Sequence, residues 1–308
     1  MGFSNNCNRI DYETRYVLAL GCFDGVHLGH KEVISTALSI SNKLSLPLRV
    51  VTFEHSPRNF FRPGCVPSIT TKKQKETIFK EMGAHDVIFL PLEKEFLSMD
   101  AQIFIKDILI DKLCAAHIVC GYNYTFGHGG EGNPHVLSKI CQATHVPVTV
   151  VQKFCIGGIP VSSSSIREAI QTGDMSLATK FLGRPFCISA TVVDGQHLAT
   201  KLGFPTANAI PPDLCVIPQH GVYATKIAID GNKYNAITNI GMRPTTNKNI
   251  LCAESHIFDY SENAYGKEIS IEFIKFIRRE KKFDSFDKMS EQVKLDIEEA
   301  KEYFAKSN

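Results

Sequence analysis

Residues 21–30 read Gly21-Cys22-Phe23-Asp24-Gly25-Val26-His27-Leu28-Gly29-His30, and this stretch decides the fold. An apolar run, Val17-Leu18-Ala19-Leu20, precedes it and suits a buried parallel strand. Residues 31–46 follow it with Val33, Ile34, Ala37, Leu38 and Ile40 at helical spacing. The turn between strand and helix is suited to a nucleotide. Glycines at 21, 25 and 29 let backbone approach a phosphate, and a helix start points unpaired N–H groups at an anion. His27 and His30 are three apart, so both rings reach one ligand from the first helical turn.

Three readings of the histidine pair compete. Surface histidines at a helix start are the ordinary fate of a lone His, less so of two in a glycine-rich turn. A zinc site lacks its usual ligands, because no Glu separates the histidines and no cysteine pair lies nearby. The third reading is nucleotidyl transfer, in which His-x-Gly-His donates hydrogen bonds to the phosphates of ATP as charge builds. Positioning and electrostatic stabilisation do most of the work in such reactions.

Outward from the turn, strands and helices alternate. Strand patterns at 48–53, 86–92, 116–120 and 146–151 are separated by helical patterns at 71–82, 100–113 and 134–144. Five strands with intervening helices predict a doubly wound parallel sheet with its ligands at the C-terminal strand ends. Those ends carry polar residues: His55 and Arg58 after the second strand, Gly121 to Asn123 after the fourth, and Ser162 to Arg167 after the last. Hydroxyls at a helix start with an arginine in its first turn make a second anion site; a plain capped helix is the alternative.

A helix over 174–183 ends at Gly183, and the pattern then changes, which places a domain boundary there: 1–183 and 184–308. Strand-like runs at 186–193, 221–229, 233–240, 250–260 and 267–277 have no helices between them, so they predict an antiparallel β-barrel. Asp230-Gly231-Asn232 reads as a hairpin turn. One closing helix carries Phe286, Met289, Val293, Ile297, Ala300 and Phe304 three or four apart. Within the barrel, Leu202 to Asn208 is a restricted segment in which Thr206 and Asn208 point the same way, suited to Mg²⁺. A proline turn is its structural alternative. Residues 239–245 read as a second such turn, and Glu254 is a candidate general base.

The chain has 308 residues with 44% hydrophobic, 21% charged and a net charge of +2, so no strongly basic field points to nucleic acid. No apolar run reaches the length of a membrane span, and residues 1–11 are polar, which predicts a cytoplasmic protein. The cysteines form no Cys-x-x-Cys pair and read as reduced and structural. Cys22, inside the turn, is the one to watch.

The order of these pieces resembles the prokaryotic bifunctional riboflavin kinase/FMN adenylyltransferase, or FAD synthetase, family over nearly the whole chain. The likeness rests on residues 21–30, 121–127, 162–167, 183–186, 203–208, 239–245 and 254–259. It implies that the N-terminal half transfers an adenylyl group from ATP to FMN, and that the barrel phosphorylates riboflavin. It further implies that His27 and His30 act on the ATP phosphates, with Gly21, Phe23, Asp24, Gly25, Gly29, Ser163, Ser164 and Arg167 around ATP. Asn123 and Arg58 would meet the flavin substrate, and Arg278 would lie near the flavin of the kinase. There Gly203 would contact ATP, Thr206 and Asn208 would carry Mg²⁺, and Glu254 would take the hydroxyl proton. Substrates and products would be riboflavin, ATP, FMN and FAD, with no nucleic acid or membrane partner.

The sequence departs from the family in four places, one of them the loop after Gly127, which lacks the basic residues often found there. His55 is shifted by one residue, Ala190 replaces a glycine, and Ala199-Thr200 replaces Gly-Arg in the kinase loop that should wrap ATP. These departures keep open an adenylyltransferase whose kinase half is weakened or senses flavin without turnover.

Overall fold

Residues 14–193, 205–244 and 249–306 are described by the computed structural model of the chain, which falls into two compact units, Met1–Ser163 and Ser164–Asn308. Gly203, Ala199 and Thr200 lie outside the described residues.

The first unit runs β1 (Tyr16–Leu20), α1 (Leu28–Leu44), β2 (Leu48–Phe53), α2 (Arg58–Phe61), α3 (Lys72–Glu81), β3 (Asp86–Leu90), α4 (Lys94–Leu97) and α5 (Ala101–Ile103). The last continues as a π-helical segment, Phe104–Lys112. Then come β4 (Ala115–Gly121), α6 (Pro134–Ala143), β5 (Val148–Val151) and a small hairpin of β6 (Cys155–Ile156) and β7 (Ile159–Pro160). The five main strands form a parallel sheet in the order β3-β2-β1-β4-β5. Every residue of β1 is buried because the strand is covered on both faces. Leu18 and Leu20 pack with Ile105, Leu109 and Leu137, while Val17 and Ala19 pack with Val33, Ile34 and Phe79 on the other side. The period of two delivers alternate side chains to the two helical layers.

Local chemistry sets the helix ends. Thr71 and Gln74 form a capping box at the start of α3. Ser45 ends α1 in the left-handed region, with its N–H bonded to Asn42 and Ser41 carbonyls. At the N-terminal end of the strands, Arg49 is buried, grips Asp86 with bonds of 2.8 to 3.0 Å, and lies 3.5 Å over the Tyr16 ring. The opposite, C-terminal edge is left to the loops.

The second unit contains α7 (Ser163–Thr172), which begins at the boundary, α8 (Met175–Leu182), β8 (Phe186–Val193), β9 (Ala207–Ala209), β10 (Gly221–Ile229), β11 (Asn232–Pro244), β12 (Asn249–Ile257), β13 (Glu268–Arg279) and α9 (Phe286–Lys306). The six strands close into an antiparallel barrel in the order β10-β11-β12-β9-β8-β13. Asp230 and Gly231 both take positive φ, 50° and 79°, as a two-residue hairpin turn requires. Inside the barrel Thr225, Thr238 and Ser255 are fully buried and joined by hydroxyl contacts of 2.8 Å. On the outside, Ile297, Ala300 and Phe304 of α9 cover Val222, Ala224 and Ile237.

The doubly wound sheet, the barrel and the closing helix are as the sequence implies. One local expectation is overturned. Residues 239–244, read as a turn, belong to the long strand β11, because their backbone pairs in unbroken register with β12 from Asn239↔Glu254 to Pro244↔Asn249.

Candidate active sites

In the first unit the strand order reverses between β1 and β4, and the crevice outside their C-terminal ends is the place where such sheets hold ligands. The glycine-rich turn fills one side of it. Phe23 and Val26 both have positive φ, 49° and 41°, and Gly25 stands at 87°. For a β-branched residue such as Val26 this backbone is an outlier that persists only when its surroundings hold it. The holding contacts are visible. Asp24 is buried, and its carboxylate accepts from Ile69 N–H at 2.9 Å and Thr70 N–H at 3.2 Å. The Thr70 hydroxyl accepts from Gly25 N–H at 3.0 Å, and the Ser163 hydroxyl donates to the Asp24 carbonyl at 2.8 Å. A side chain at Gly21 would meet the Phe23 ring at 2.6 Å, so this position needs glycine for space.

His27 caps α1: its Nδ1 accepts from His30 N–H at 3.2 Å. An accepting Nδ1 carries no proton, so the imidazole proton sits on Nε2, where it is a donor. The His27 and His30 rings stack with centroids 3.5 Å apart, and Phe23 meets His30 edge-on at 5.3 Å. The pair is therefore one rigid block at the helix start. Across the crevice, Asn123 is exposed just beyond β4, with Tyr124 stacked on Phe126 beneath it. Arg58 is exposed at the start of α2, beyond β2. His55 sits beside it and contacts the Ser68 hydroxyl at 3.1 Å. Ser164 and Arg167 fall in the second unit, on α7. Missing from the sequence reading is Lys75, which is fully buried on α3 and donates to carbonyls of this turn and of the β2 end.

In the barrel, strand register assembles the second constellation. Glu254 on β12 stands directly opposite Asn208 on β9 and Asn239 on β11. Cross-strand partners share a face. Asn239 lies two residues from Ile237, which α9 covers, so the row Asn208–Glu254–Asn239 is on the outer face and not in the lumen. Thr206 immediately precedes β9, and its carbonyl accepts from the Asn208 amide at 3.5 Å. Asn239 was read only as part of a turn; its register with Glu254 makes it a member of the site. Arg278 stands apart. It pairs in the same row with Val222, three strands from Glu254 and roughly 14 Å along the sheet. Its guanidinium is gripped by Asp296 of α9 at 2.7 to 3.0 Å, and Gln292 supports the same carboxylate at 3.1 Å.

The donor set near Glu254 is an amide and a hydroxyl, hard neutral oxygens that fit Mg²⁺ already bound to phosphates. Among the described residues no group of three or more His, Cys, Asp or Glu is placed to hold a metal. Among the described residues no disulfide is formed. Burial pushes the Cys120 thiol up to about 12 and Cys141 to about 11, so neither is a nucleophile at neutral pH.

Comparison with known proteins finds two families along the chain. The FAD synthetase family matches residues 10–165 and the riboflavin kinase family residues 182–304. A Haemophilus influenzae protein named bifunctional riboflavin kinase/FMN adenylyltransferase is 35% identical over 93% of this chain and 94% of its own. Proteins of the same name from Bacillus subtilis and Escherichia coli are 34% and 35% identical, covering 95% and 94% of this chain and 94% and 92% of theirs. Among solved structures, a Streptococcus pneumoniae protein described as a macrolide-efflux protein is similar with a TM-score of 0.85 at 31% identity, over 94% of both chains. That description stays with that protein. Among the described residues of this chain no helix is long and apolar enough to cross a membrane.

Proposed function

The chain belongs to the bifunctional riboflavin kinase/FMN adenylyltransferase family and carries both of its catalytic domains, and from that premise we propose how its residues divide the work. Riboflavin, FMN and ATP are the substrates of the two activities. We assign residues 1–183 to adenylyl transfer and 184–308 to the kinase. What supports two separate activities is that the His27–His30 block lies in the first compact unit and the Asn208–Glu254–Asn239 row in the second.

In the first reaction a phosphate oxygen of FMN attacks the α-phosphorus of ATP and pyrophosphate leaves. The Nε2–H of His27 donates to a phosphate oxygen, and His30, held parallel to it, faces the same charge. Backbone at Gly21, Phe23, Asp24, Gly25 and Gly29 lines the approach, while Ser163 holds ATP, and Asn123 and Arg58 hold the FMN. No covalent intermediate is needed, since fixed donors aimed at developing charge lower the barrier. The Asp24 carboxylate serves this site from behind, by fixing the turn.

In the second reaction the ribityl 5′-hydroxyl attacks the γ-phosphorus of ATP, the bond to the β-phosphate oxygen breaks and ADP leaves. Glu254 takes the hydroxyl proton, and Asn208 and Asn239 on either side orient its carboxylate. Thr206 and Asn208 are the ligands for Mg²⁺, which supplies neutralisation of phosphate charge when bound. Arg278, locked on Asp296, fixes the edge of the barrel near the flavin. We place the protein in the cytoplasm, acting without nucleic acid or membrane.

Replacing Glu254 by Gln tests the assignment. It is expected to abolish FMN formation from riboflavin while FAD formation from FMN continues. His30→Ala is expected to do the reverse. Loss of both activities in either variant contradicts independent sites.

A further inference from the structure

Two residues beyond Glu254 on β12 stands His256, which neither reaction uses. Residues two apart on a strand share a face and lie about 7 Å from each other, so this histidine stands beside Glu254 on the outer face of the barrel. Its Nδ1 lies 3.0 Å from the carbonyl oxygen of Pro205, 51 residues away in the sequence. A carbonyl only accepts, so Nδ1 carries the proton and donates. The Phe258 ring meets the imidazole edge-on, with centroids 5.8 Å apart, and limits its rotation.

Strand register explains why a side chain acts at this point. β12 pairs with β9 as Ala253↔Ala209, Glu254↔Asn208 and Ser255↔Ala207, and the ladder stops there. The next step would set His256 opposite Thr206. Pro205 has no N–H to give to a ladder, and its carbonyl is taken by the imidazole. On the other side of Thr206, that residue's own carbonyl accepts from the Asn208 amide at 3.5 Å, the weaker of the two holds. Peptide planes are rigid, so the two planes that flank a residue define its φ and ψ. Holding the Pro205 and Thr206 carbonyls from two side chains therefore sets the direction in which the Thr206 side chain leaves the backbone. Thr206 and Asn208 supply the hydroxyl and amide oxygens that fit Mg²⁺.

We propose that His256 is a positioning residue for riboflavin phosphorylation. It holds the Pro205 carbonyl and so keeps the Thr206 hydroxyl in place as a ligand for Mg²⁺ beside Asn208. The proposal rests on the kinase reading of the second unit. His256 touches no substrate in this role and acts through one peptide plane.

Three variants of the full chain test it. His256→Ala removes the bond, His256→Asn puts an N–H close to the place of Nδ1, and His256→Gln offers one only near the place of Nε2. In His256→Ala the Mg²⁺ concentration that gives half-maximal riboflavin phosphorylation is expected to rise on the order of tenfold, the weight of one lost hydrogen bond. KM for riboflavin should change no more than about twofold. His256→Asn should recover most of the loss and His256→Gln little of it. Both lose the ring that meets Phe258, so a difference between them reports the bond and not the packing. The second readout needs no turnover: hydrogen exchange of the metal-free protein, followed by mass spectrometry. Amides of residues 206–209 should exchange on the order of tenfold faster in His256→Ala than in the wild type, and near the wild-type rate in His256→Asn. Unchanged Mg²⁺ dependence and unchanged exchange in His256→Ala would overturn the proposal. So would equal losses towards Mg²⁺ and riboflavin that Asn and Gln restore alike, which mark packing alone. A wild-type chain that forms no FMN from riboflavin would sink the kinase reading instead, and the exchange rates would still decide what His256 holds.

Discussion

Replacing Asp296 by Ala removes the carboxylate that joins α9 to β13. Asp296 is 3% exposed and receives two nitrogens of Arg278 and the amide of Gln292, with distances from 2.7 to 3.1 Å. Breaking a buried ion pair from one side costs about 3–5 kcal/mol. Because the Arg278 side chain is 22% exposed, and regains water once released, the lower end, about 3 kcal/mol, applies here. With a urea dependence of about 2 kcal/mol per molar, the unfolding midpoint of the second unit should fall by roughly 1.5 M. Kinase activity measured after equilibration in urea follows the second unit, so its midpoint should move. A kinase midpoint shifted by less than about 0.3 M would refute the claim that this pair holds α9 on the barrel. The double replacement Arg278→Met with Asp296→Leu should recover much of the loss, since no lone charge is then left behind.

Asp24→Ala should destabilise the first unit by roughly 2–6 kcal/mol, because Ile69 and Thr70 N–H groups would each lose a buried acceptor worth about 1–3 kcal/mol; the urea midpoint of adenylyl transfer measures it. Alkylation of the native protein at pH 8, read by mass spectrometry, should label the exposed Cys65 and Cys155 and spare Cys120 and Cys141, whose thiols burial keeps protonated. Labelling of Cys120 in folded protein would count against that burial. Burial lowers the pKa of His117, which contacts the Thr149 hydroxyl at 2.8 Å. The unfolded chain therefore takes up a proton first. The contribution of His117 is present above about pH 6.5 and is lost as pH falls through its lowered folded value. His117→Gln should flatten the acid side of the stability profile, and an unchanged slope there would disprove the contribution.

The sequence made the architecture readable wherever periodicity was clean. The apolar run of β1, the Asp-Gly hairpin and the stripe of α9 led directly to the elements found. It was less informative where tertiary contacts decide. Residues 239–244 contain Gly241 and Pro244, which look like punctuation. Gly241 nevertheless pairs with Cys252 in unbroken register, so this glycine sits within a strand and does not end one. Lys75 was hidden in a lysine-rich helix, since nothing in a linear sequence separates the buried lysine from its solvated neighbours. Asp296 did leave a trace, a charge beside Val293, Ile297 and Ala300 on the apolar face, which signals a buried partner. Asn239 became a candidate only through register, because pairing with Glu254 is a property of two strands together. The contact-defined units divide at residue 163, earlier than the change of pattern at Gly183, because α7 and α8 are grouped with the barrel.

The central claim is that one chain carries two working sites. Purified protein incubated with ATP and Mg²⁺ should be followed by chromatography from two starting points, riboflavin and FMN. The account predicts FAD from both, with FMN appearing first when riboflavin is supplied. FAD from FMN alone would contradict it, and would mean that the barrel holds flavin without phosphorylating it.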